Sequence, residues 1–556
     1  MSGEDFDAVV IGAGAGGAAA AFALSTAGAR VLVLEAGPEY DIADYRLHRN
    51  EWERIRFPHK HGGQGRHSAA PLQALDKRYE DLRSYNQHTG AMVRGAQRAY
   101  SGYAHARGLG GSTLVFTGEA QRLNPVAMRL ATRFGVGADW PIDYAALEPF
   151  YEEVEAIIGV AGDDRDASRP RRRGFPLPAH PMSYASRQLG QGCQALGLGW
   201  IANPLAALPQ PYDGRPGCNY CGNCARGCPR RDKGSADVTF VPKARASGRC
   251  SFRTGAAVTA LAAAAGDRIA EVRYADARGE HTVRGRAVLM ACGAVDTPRL
   301  LLHSRNAHAP LGVGNEDGQL GLHFMETLHF TSSALHPEPL GSYRGLPSDA
   351  ICWDFNAPDA IDGVVGGARF TPTTAEADLI GPINHARRVV GGWGRAHKQR
   401  MADTFGRVLS VGAIGENLPD AGSFIDLDPE RTDEHGVPIA RIHSHLGDME
   451  LRRLRFMAKT CREILAASGA GKPFEEYGVY DQFLSTHVFG GCRMGNDAGS
   501  SVVDANCRSH RWKNLFVVDA SVFPSTGGGE SPSLTIEALA VRAGRYVARL
   551  MSRKEL

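Results

Sequence analysis

Apolar positions along the 556-residue chain fall into distinct patterns. Near the start, residues 8–11 form an uninterrupted apolar run, the length of a parallel strand buried on both faces. Residues 18–27 are alanine-rich with high helix propensity, and Gly28 ends them. Residues 30–34 predict a second strand, closed by Glu35. Residues 235–292 read as short strands and turns. Residues 288–290 and 515–518 predict further buried strands, and a helix over 299–304 begins at Thr297-Pro298. Residues 326–484 are different. They alternate, as in Phe424-Ile425-Asp426-Leu427 and Pro438-Ile439-Ala440-Arg441-Ile442, and predict an antiparallel sheet with one wet face. Residues 447–467 have the helical period, with Leu451, Leu454 and Met457 on the buried side.

The first strand runs into Gly12, Gly14 and Gly17 in the G-x-G-x-x-G spacing. Gly12 permits a tight turn, Gly14 leaves room for a pyrophosphate, and Gly17 lets helix and strand pack closely. The helix N-terminus offers free N–H groups to phosphate. Glu35 stands where an acid accepts hydrogen bonds from a ribose hydroxyl. Strand, glycines, helix, second strand and acid fall in the order that dinucleotide binding requires. The unit does not by itself separate FAD from NAD; its place at the start of the chain favours FAD.

Composition narrows the class. Apolar residues make up 43% and charged residues 22%, as in an ordinary globular protein, and the length implies two or three domains. A net charge of +3 argues against nucleic acid or an anionic membrane as the main partner. No apolar run reaches membrane-spanning length. No signal peptide or twin-arginine stretch precedes the first strand, which makes the cytoplasm the default, with export beside a signal-bearing partner left open. Residues 41–95 are charged, with Arg46, His48, Arg49, His59, His61 and His67. They read as a solvated excursion, the imidazoles having no convincing partner carboxylate for a metal. Residues 156–217 are rich in Arg and Pro, and their charge run, with Arg169, Arg171, Arg172 and Arg173, reads as a solvated loop.

Four of the 11 cysteines crowd together: Cys218, Cys221, Cys224 and Cys228, followed by Pro229. This C-x2-C-x2-C-x3-C-P run has the spacing of bacterial iron–sulfur ligation, and Gly217, Gly222 and Gly227 would let backbone wrap a small inorganic core. Structural thiols or a disulfide are the alternative. A cluster would give electrons an outward route and favour a dehydrogenase over an oxidase. The other cysteines are scattered and read as buried thiols.

Six ordered motifs carry a resemblance to a known family: the N-terminal fingerprint, RGLGGSTL at 107–114, WPIDYAALEPFYEEVE at 140–155, GAVDTPRLLLHS at 293–304, HVFGGCRMG at 487–495, and NLFVVDASVFPSTGGGESPSLTIEALAVRAG at 514–544. Over most of its length the chain resembles the glucose–methanol–choline (GMC) flavoprotein oxidoreductases, in particular bacterial sugar and polyol dehydrogenase subunits and long-chain alcohol oxidases. The resemblance implies an α/β fold: a Rossmann-like FAD domain and a substrate domain built on an antiparallel sheet with helices. The expected division is 1–155 (FAD domain, with 41–95 inserted), 156–234 (insertion with the cysteines), 235–325 (FAD domain), 326–484 (substrate domain) and 485–556 (FAD domain).

The resemblance also implies an alcohol or sugar substrate and hydride transfer to the flavin. His487 matches the family's active-site histidine, with Gly490 and Gly491 expected against the flavin ring. Gly110, Gly111, Ser112, Asp519 and Ala520 match its flavin-contacting stretches. The family's second catalytic position, usually Asn or His, is Ser531 here. Serine is shorter and a poorer base, so His487 works nearly alone or is helped by Glu530 or a residue from elsewhere. Leu114 stands where some relatives carry a flavin-linking histidine, which favours non-covalent FAD. The expected electron acceptor is a small subunit or a cytochrome. An oxidase using O2, and a flavin-binding carrier without catalysis, are the competing readings.

Overall fold

Where the sequence is continuously apolar, its strands lie side by side in the interior. A computed structural model describes residues 4–41 and 67–556. Arg46, His48, Arg49, His59 and His61 of the charged excursion lie outside the described residues. One sheet has the strand order Cys250–Arg253, Val31–Leu34, Glu4–Ile11, Gly279–Met290, Arg268–Asp276, Ala257–Ala264, and Leu515–Val517 pairs with the end of Gly279–Met290. The pairings among the first four strands and with Leu515–Val517 are parallel. The remaining two strands continue it antiparallel. Ala8 sits in register with both Val31 and Ala287. Parallel strands covered on both faces need side chains that are apolar throughout, which is why 8–11 shows no alternation.

The alanine-rich helix, Ala15–Thr26, is buried on nearly all sides between Ser533–Ser552 and Phe240–Ala246. Its small residues allow a close crossing. A Cβ added at Gly544 of the last helix would come within 2.9 Å of the Ala23 Cβ.

A second sheet is wholly antiparallel, with the order Ala368–Pro372, Val408–Gly415, Leu328–Leu335, Glu475–Gly478, Tyr85–Asn86, Ala91–Met92. Helix Asp448–Ala467 covers it, and Leu451, Leu454 and Met457 enter a core with Phe330, Leu409 and Val411.

Two expectations change. Phe424–Thr432 and Pro438–His443 are antiparallel strands, but they pair with each other and with His67–Ala69 rather than with the second sheet. They lie against helix Gly293–His303, tied there by Arg299, whose Nε donates to the Pro438 carbonyl at 2.6 Å and Nη2 to Asp433 at 2.7 Å. Arg169 is buried rather than solvated. It pairs with Glu530, donates to the Asn356 side chain at 2.6 Å and stacks over Trp353. A buried carboxylate needs such a counter-charge. Arg172 and Arg173 do face solvent. Among the described residues the cysteines are free thiols, and no helix is long and apolar enough to cross a membrane.

Candidate active site

The nucleotide fingerprint folds as its residue types require. Gly12 has φ +98°, and a Cβ there would lie 2.4 Å from the Ala291 carbonyl oxygen. A Cβ at Gly17 would strike the Gly12 carbonyl at 1.9 Å. Gly14 faces Gly111 backbone to backbone, and a Cβ on Gly111 would come within 2.7 Å of the Gly14 Cα. Gly110 donates its N–H to the Ala13 carbonyl at 2.9 Å. Gly16, which the fingerprint does not count, is equally constrained. Its Cβ would meet the Val518 carbonyl oxygen at 1.9 Å.

Glu35 is buried, and its carboxylate accepts N–H bonds from Ala13 (2.8 Å), Gly37 (2.8 Å) and Gly108 (3.2 Å). Burial pushes its pKa up, against these three donors. A carboxylate has about four acceptor positions, so one stays open to a hydroxyl. Asp519 ties two turns together. It accepts from the Gly293 N–H (3.0 Å), the Thr297 hydroxyl (2.6 Å) and the Ser521 N–H (2.9 Å), and burial raises its pKa. The Ala520 carbonyl accepts from the Gly490 N–H at 3.2 Å, which joins this stretch to the His487 loop.

A cavity of about 630 Å³ is lined by Gly12, Gly14, Glu35, Gly111, Ser112, Asp519 and Ala520, and also by His487 and Ser531. Its size is that of a ligand site. The glycine-walled turn and the open acceptor on Glu35 fit a dinucleotide, and the same cavity continues to His487. Gly17 and Gly110 stand behind the lining and support it.

His487 lies between strands Gln482–Ser485 and Val488–Phe489, which pair with Ala99–Tyr103 and Met325–Glu326. Its carbonyl accepts from the Ser485 hydroxyl (2.8 Å) and the Thr327 N–H (3.0 Å). The backbone is thus pinned while the residue lines the cavity. Gly490 and Gly491 do not line it. A Cβ at Gly490 would collide with the His323 carbonyl at 2.0 Å, and one at Gly491 would approach Pro298 at 3.1 Å.

Ser531 belongs to a buried cluster that no motif announces. Its hydroxyl donates to Glu119 Oε2 at 2.5 Å, and its N–H donates to Gln121 at 2.9 Å. Arg369 grips the same Glu119 with both Nη atoms, the longer bond being 3.0 Å. Burial raises the Glu119 pKa, but Arg369, Ser531 and the nearby His487 outweigh it and hold the carboxyl below its ordinary range. Glu530 turns away. It pairs with Arg169 and accepts from the Asn124 N–H (3.1 Å) and Asn356 (3.0 Å). His329, also in the lining, bonds Thr331 at 2.9 Å, and burial pushes its pKa down to about 4.

None of the four clustered cysteines lines the cavity, but their loop borders it. The turn Cys224–Arg226 packs on the turn Gly111–Val115, and Ala225 and Phe116 line the cavity. Lys233 clasps the two, donating to the carbonyls of Leu114 (3.0 Å), Phe116 (2.9 Å) and Cys224 (2.9 Å). Cys224 is buried and Cys221 exposed. Burial pushes the Cys218 thiol up to about 12 and Cys224 well above its ordinary value. Among the described residues, no three His, Cys, Asp or Glu side chains are already arranged around a metal position. What fits a cluster is the donor set, four reduced thiols in one short loop. Their side chains are not gathered.

Two family models, both described as GMC oxidoreductase, match residues 6–323 and 419–540. The chain therefore belongs to the GMC oxidoreductase family, and it is an FAD-dependent oxidoreductase acting on CH–OH donors. It is 29% identical to the 2-methyl-1,2-propanediol dehydrogenase of Mycolicibacterium austroafricanum, over 99% of this chain and 96% of that one. It is 26% identical to the fructose dehydrogenase large subunit of Gluconobacter japonicus, over 97% and 96%. Pyridoxine 4-oxidase from Mesorbium loti shares its fold at a TM-score of 0.64 and 18% identity, over 97% of this chain and 98% of that chain.

Proposed function

We propose that the protein is a dehydrogenase that oxidises a sugar, polyol or other alcohol, with His487 as the base for the hydroxyl proton. When bound, FAD supplies the hydride acceptor, N5 of its ring. His487 is the one imidazole matching the family's catalytic position, and it lines the same cavity as the nucleotide-binding glycines; that observation carries the reading. Its pinned backbone keeps the residue in the cavity wall, and the hydroxyl-bearing Thr327, Thr331 and Ser531 of the same lining would orient a hydroxylated substrate. Gly12, Gly14, Gly111 and Glu35 would hold the FAD. Leu114 offers no imidazole for a covalent link, so acid precipitation should release yellow flavin to the supernatant.

Electrons would leave through the cysteine loop, which abuts the Gly111–Val115 turn, to a partner subunit or cytochrome. The dehydrogenase relatives, one of them a large subunit, support a non-oxygen acceptor. The test is anaerobic rapid mixing with a panel of alcohols and sugars, followed by reoxidation with a one-electron dye or with O2. Substrate bleaching with fast reoxidation by dye and slow reoxidation by O2 is expected. An unbleached flavin refutes alcohol oxidation, and fast peroxide formation refutes the dehydrogenase assignment.

A further inference from the structure

Hydrogen-bond bookkeeping around Ser531 restricts what the substrate can offer it. Glu119 is saturated: Oε1 accepts from Arg369 Nη1 (3.0 Å) and Asn203 (3.2 Å), and Oε2 from Arg369 Nη2 and the Ser531 hydroxyl (2.5 Å). Arg369 is saturated as well. Its other N–H groups go to the Gly529 carbonyl (2.8 Å), Thr371 (3.2 Å) and, loosely, the Ser531 oxygen (3.4 Å). A carboxylate gripped by a guanidinium is an acceptor only, so the proton between Glu119 and Ser531 belongs to serine. A hydroxyl has one donor and two acceptor positions. With its proton given to Glu119 and one lone pair facing Arg369, Ser531 has a single position left, an acceptor, and the residue lines the cavity. The asparagine or histidine usual at this position in the family can donate; Ser531 cannot.

The carbinol being oxidised has one hydroxyl proton. On the reading above, which this inference rests on, that proton goes to His487. It cannot also be donated to Ser531. We infer that Ser531, fixed by the Glu119–Arg369 pair as a pure acceptor, is a specificity residue that selects substrates carrying a second hydroxyl: diols and polyols over monoalcohols and over their O-methyl ethers. Glu119 acts through Ser531 and is a positioning residue. Its four filled acceptor positions leave it no capacity to take a proton from the substrate.

The test uses the FAD-loaded protein and a matched series: 1,2-propanediol, 2-methoxy-1-propanol and 1-propanol. The ether keeps the second oxygen but loses its proton. Flavin bleaching is followed anaerobically, and binding is measured by calorimetry on the His487→Ala variant, which removes turnover. The diol should exceed both analogues by about 10- to 100-fold in kcat/KM and bind more tightly in the calorimeter, the range for a buried acceptor left without its donor. Ser531→Ala should bring the three compounds within about threefold, and Ser531→Thr should keep the preference. In Glu119→Gln the amide can donate to Ser531, freeing the hydroxyl to point into the cavity as a donor. Preference should then move toward the ether, by about tenfold, an effect that mere loosening of the fold would not produce. Equal rates for diol and ether in the unaltered protein, or undiminished discrimination in Ser531→Ala, would overturn the inference while leaving alcohol oxidation intact. If no alcohol or sugar bleaches the flavin, alcohol oxidation fails and this inference falls with it.

Discussion

On the proposed function a single imidazole, His487, carries the proton chemistry, and its removal should separate catalysis from cofactor binding. His487→Ala should slow flavin reduction by roughly 10²- to 10⁴-fold, the usual range for loss of a general base. Flavin content should not change, because Gly12, Gly14, Gly111 and Glu35 are untouched; stopped-flow absorbance and the protein-to-flavin ratio check both. A second residue gives a pH signature of stability. Glu416 is fully buried, and its carboxylate oxygens have no hydrogen-bond partner among the described residues. Burial, helped by nearby Glu530 and opposed by Arg453, pushes its pKa from 4.5 up to about 8. Between those two values the folded protein holds a proton that the unfolded chain has released, so this group lowers stability as pH rises through the window. Glu416→Gln should therefore raise stability at pH 8, on the order of 1–4 kcal/mol, and leave it unchanged near pH 4. Denaturant titrations at the two pH values check the sign. Residues of this kind divide sharply in legibility. His487 and the fingerprint glycines were visible because each sits in a fixed local motif. Glu119 and Arg369 were not: 250 positions separate them, and neither spacing nor composition marks a buried pair made by the fold.

At the level of elements, hydrophobic period told which segments are strands and which are helices, but not which strand pairs with which. The alternation in 424–427 and 438–442 correctly signals antiparallel strands with one wet face. The same alternation suits either sheet, and Arg299 on the neighbouring helix, with its bonds to Pro438 and Asp433, shows which side they join. The alanine-rich helix was legible for the opposite reason. It is small-sided on every face because strands, a second helix and the last helix all press on it. That tightness makes Gly16 a sensitive position. An added methyl would sit 1.9 Å from the Val518 carbonyl oxygen and 3.2 Å from Ile536, and backbone cannot yield as a side-chain tip does. Gly16→Ala should cost roughly 3 kcal/mol of stability, at the upper end of overpacking, and lower the flavin content by tilting the helix N-terminus away from the phosphates. Thermal denaturation with a flavin assay reads both effects. A fully loaded, equally stable variant would contradict the packing argument.

Across the whole molecule, distant segments converge on one cavity. The first strand, the strand at 279–290 and the strand at 515–517 bring the nucleotide loop, Asp519 and the last helix into one neighbourhood, and the second sheet contributes His329 to the lining and sets Arg369 against Ser531. Period alone does not give this convergence; the ordered family motifs do, because they mark which distant segments belong to one site. On the proposed function the cysteine loop carries electrons outward: Cys224 lies against the Gly111–Val115 turn beside the cavity, and Cys221 of the same loop is exposed. If Cys218, Cys221, Cys224 and Cys228 hold an iron–sulfur cluster, binding must draw the four together and deprotonate Cys218, Cys224 and Cys228, whose thiols burial pushes up, and anaerobically purified protein should contain iron and absorb beyond the flavin bands. Cys221→Ser with Cys224→Ser should abolish the iron, because serine is a poor ligand where soft thiolates are needed. Substrate should still bleach the flavin at close to the unaltered rate, since His487, Ser531 and the fingerprint glycines are untouched. Transfer onward to a one-electron acceptor should fall, and the reduced flavin should persist after substrate is consumed. Iron-free protein from anaerobic purification would return the four cysteines to a structural role, and electrons would then have to leave directly from the flavin at the cavity.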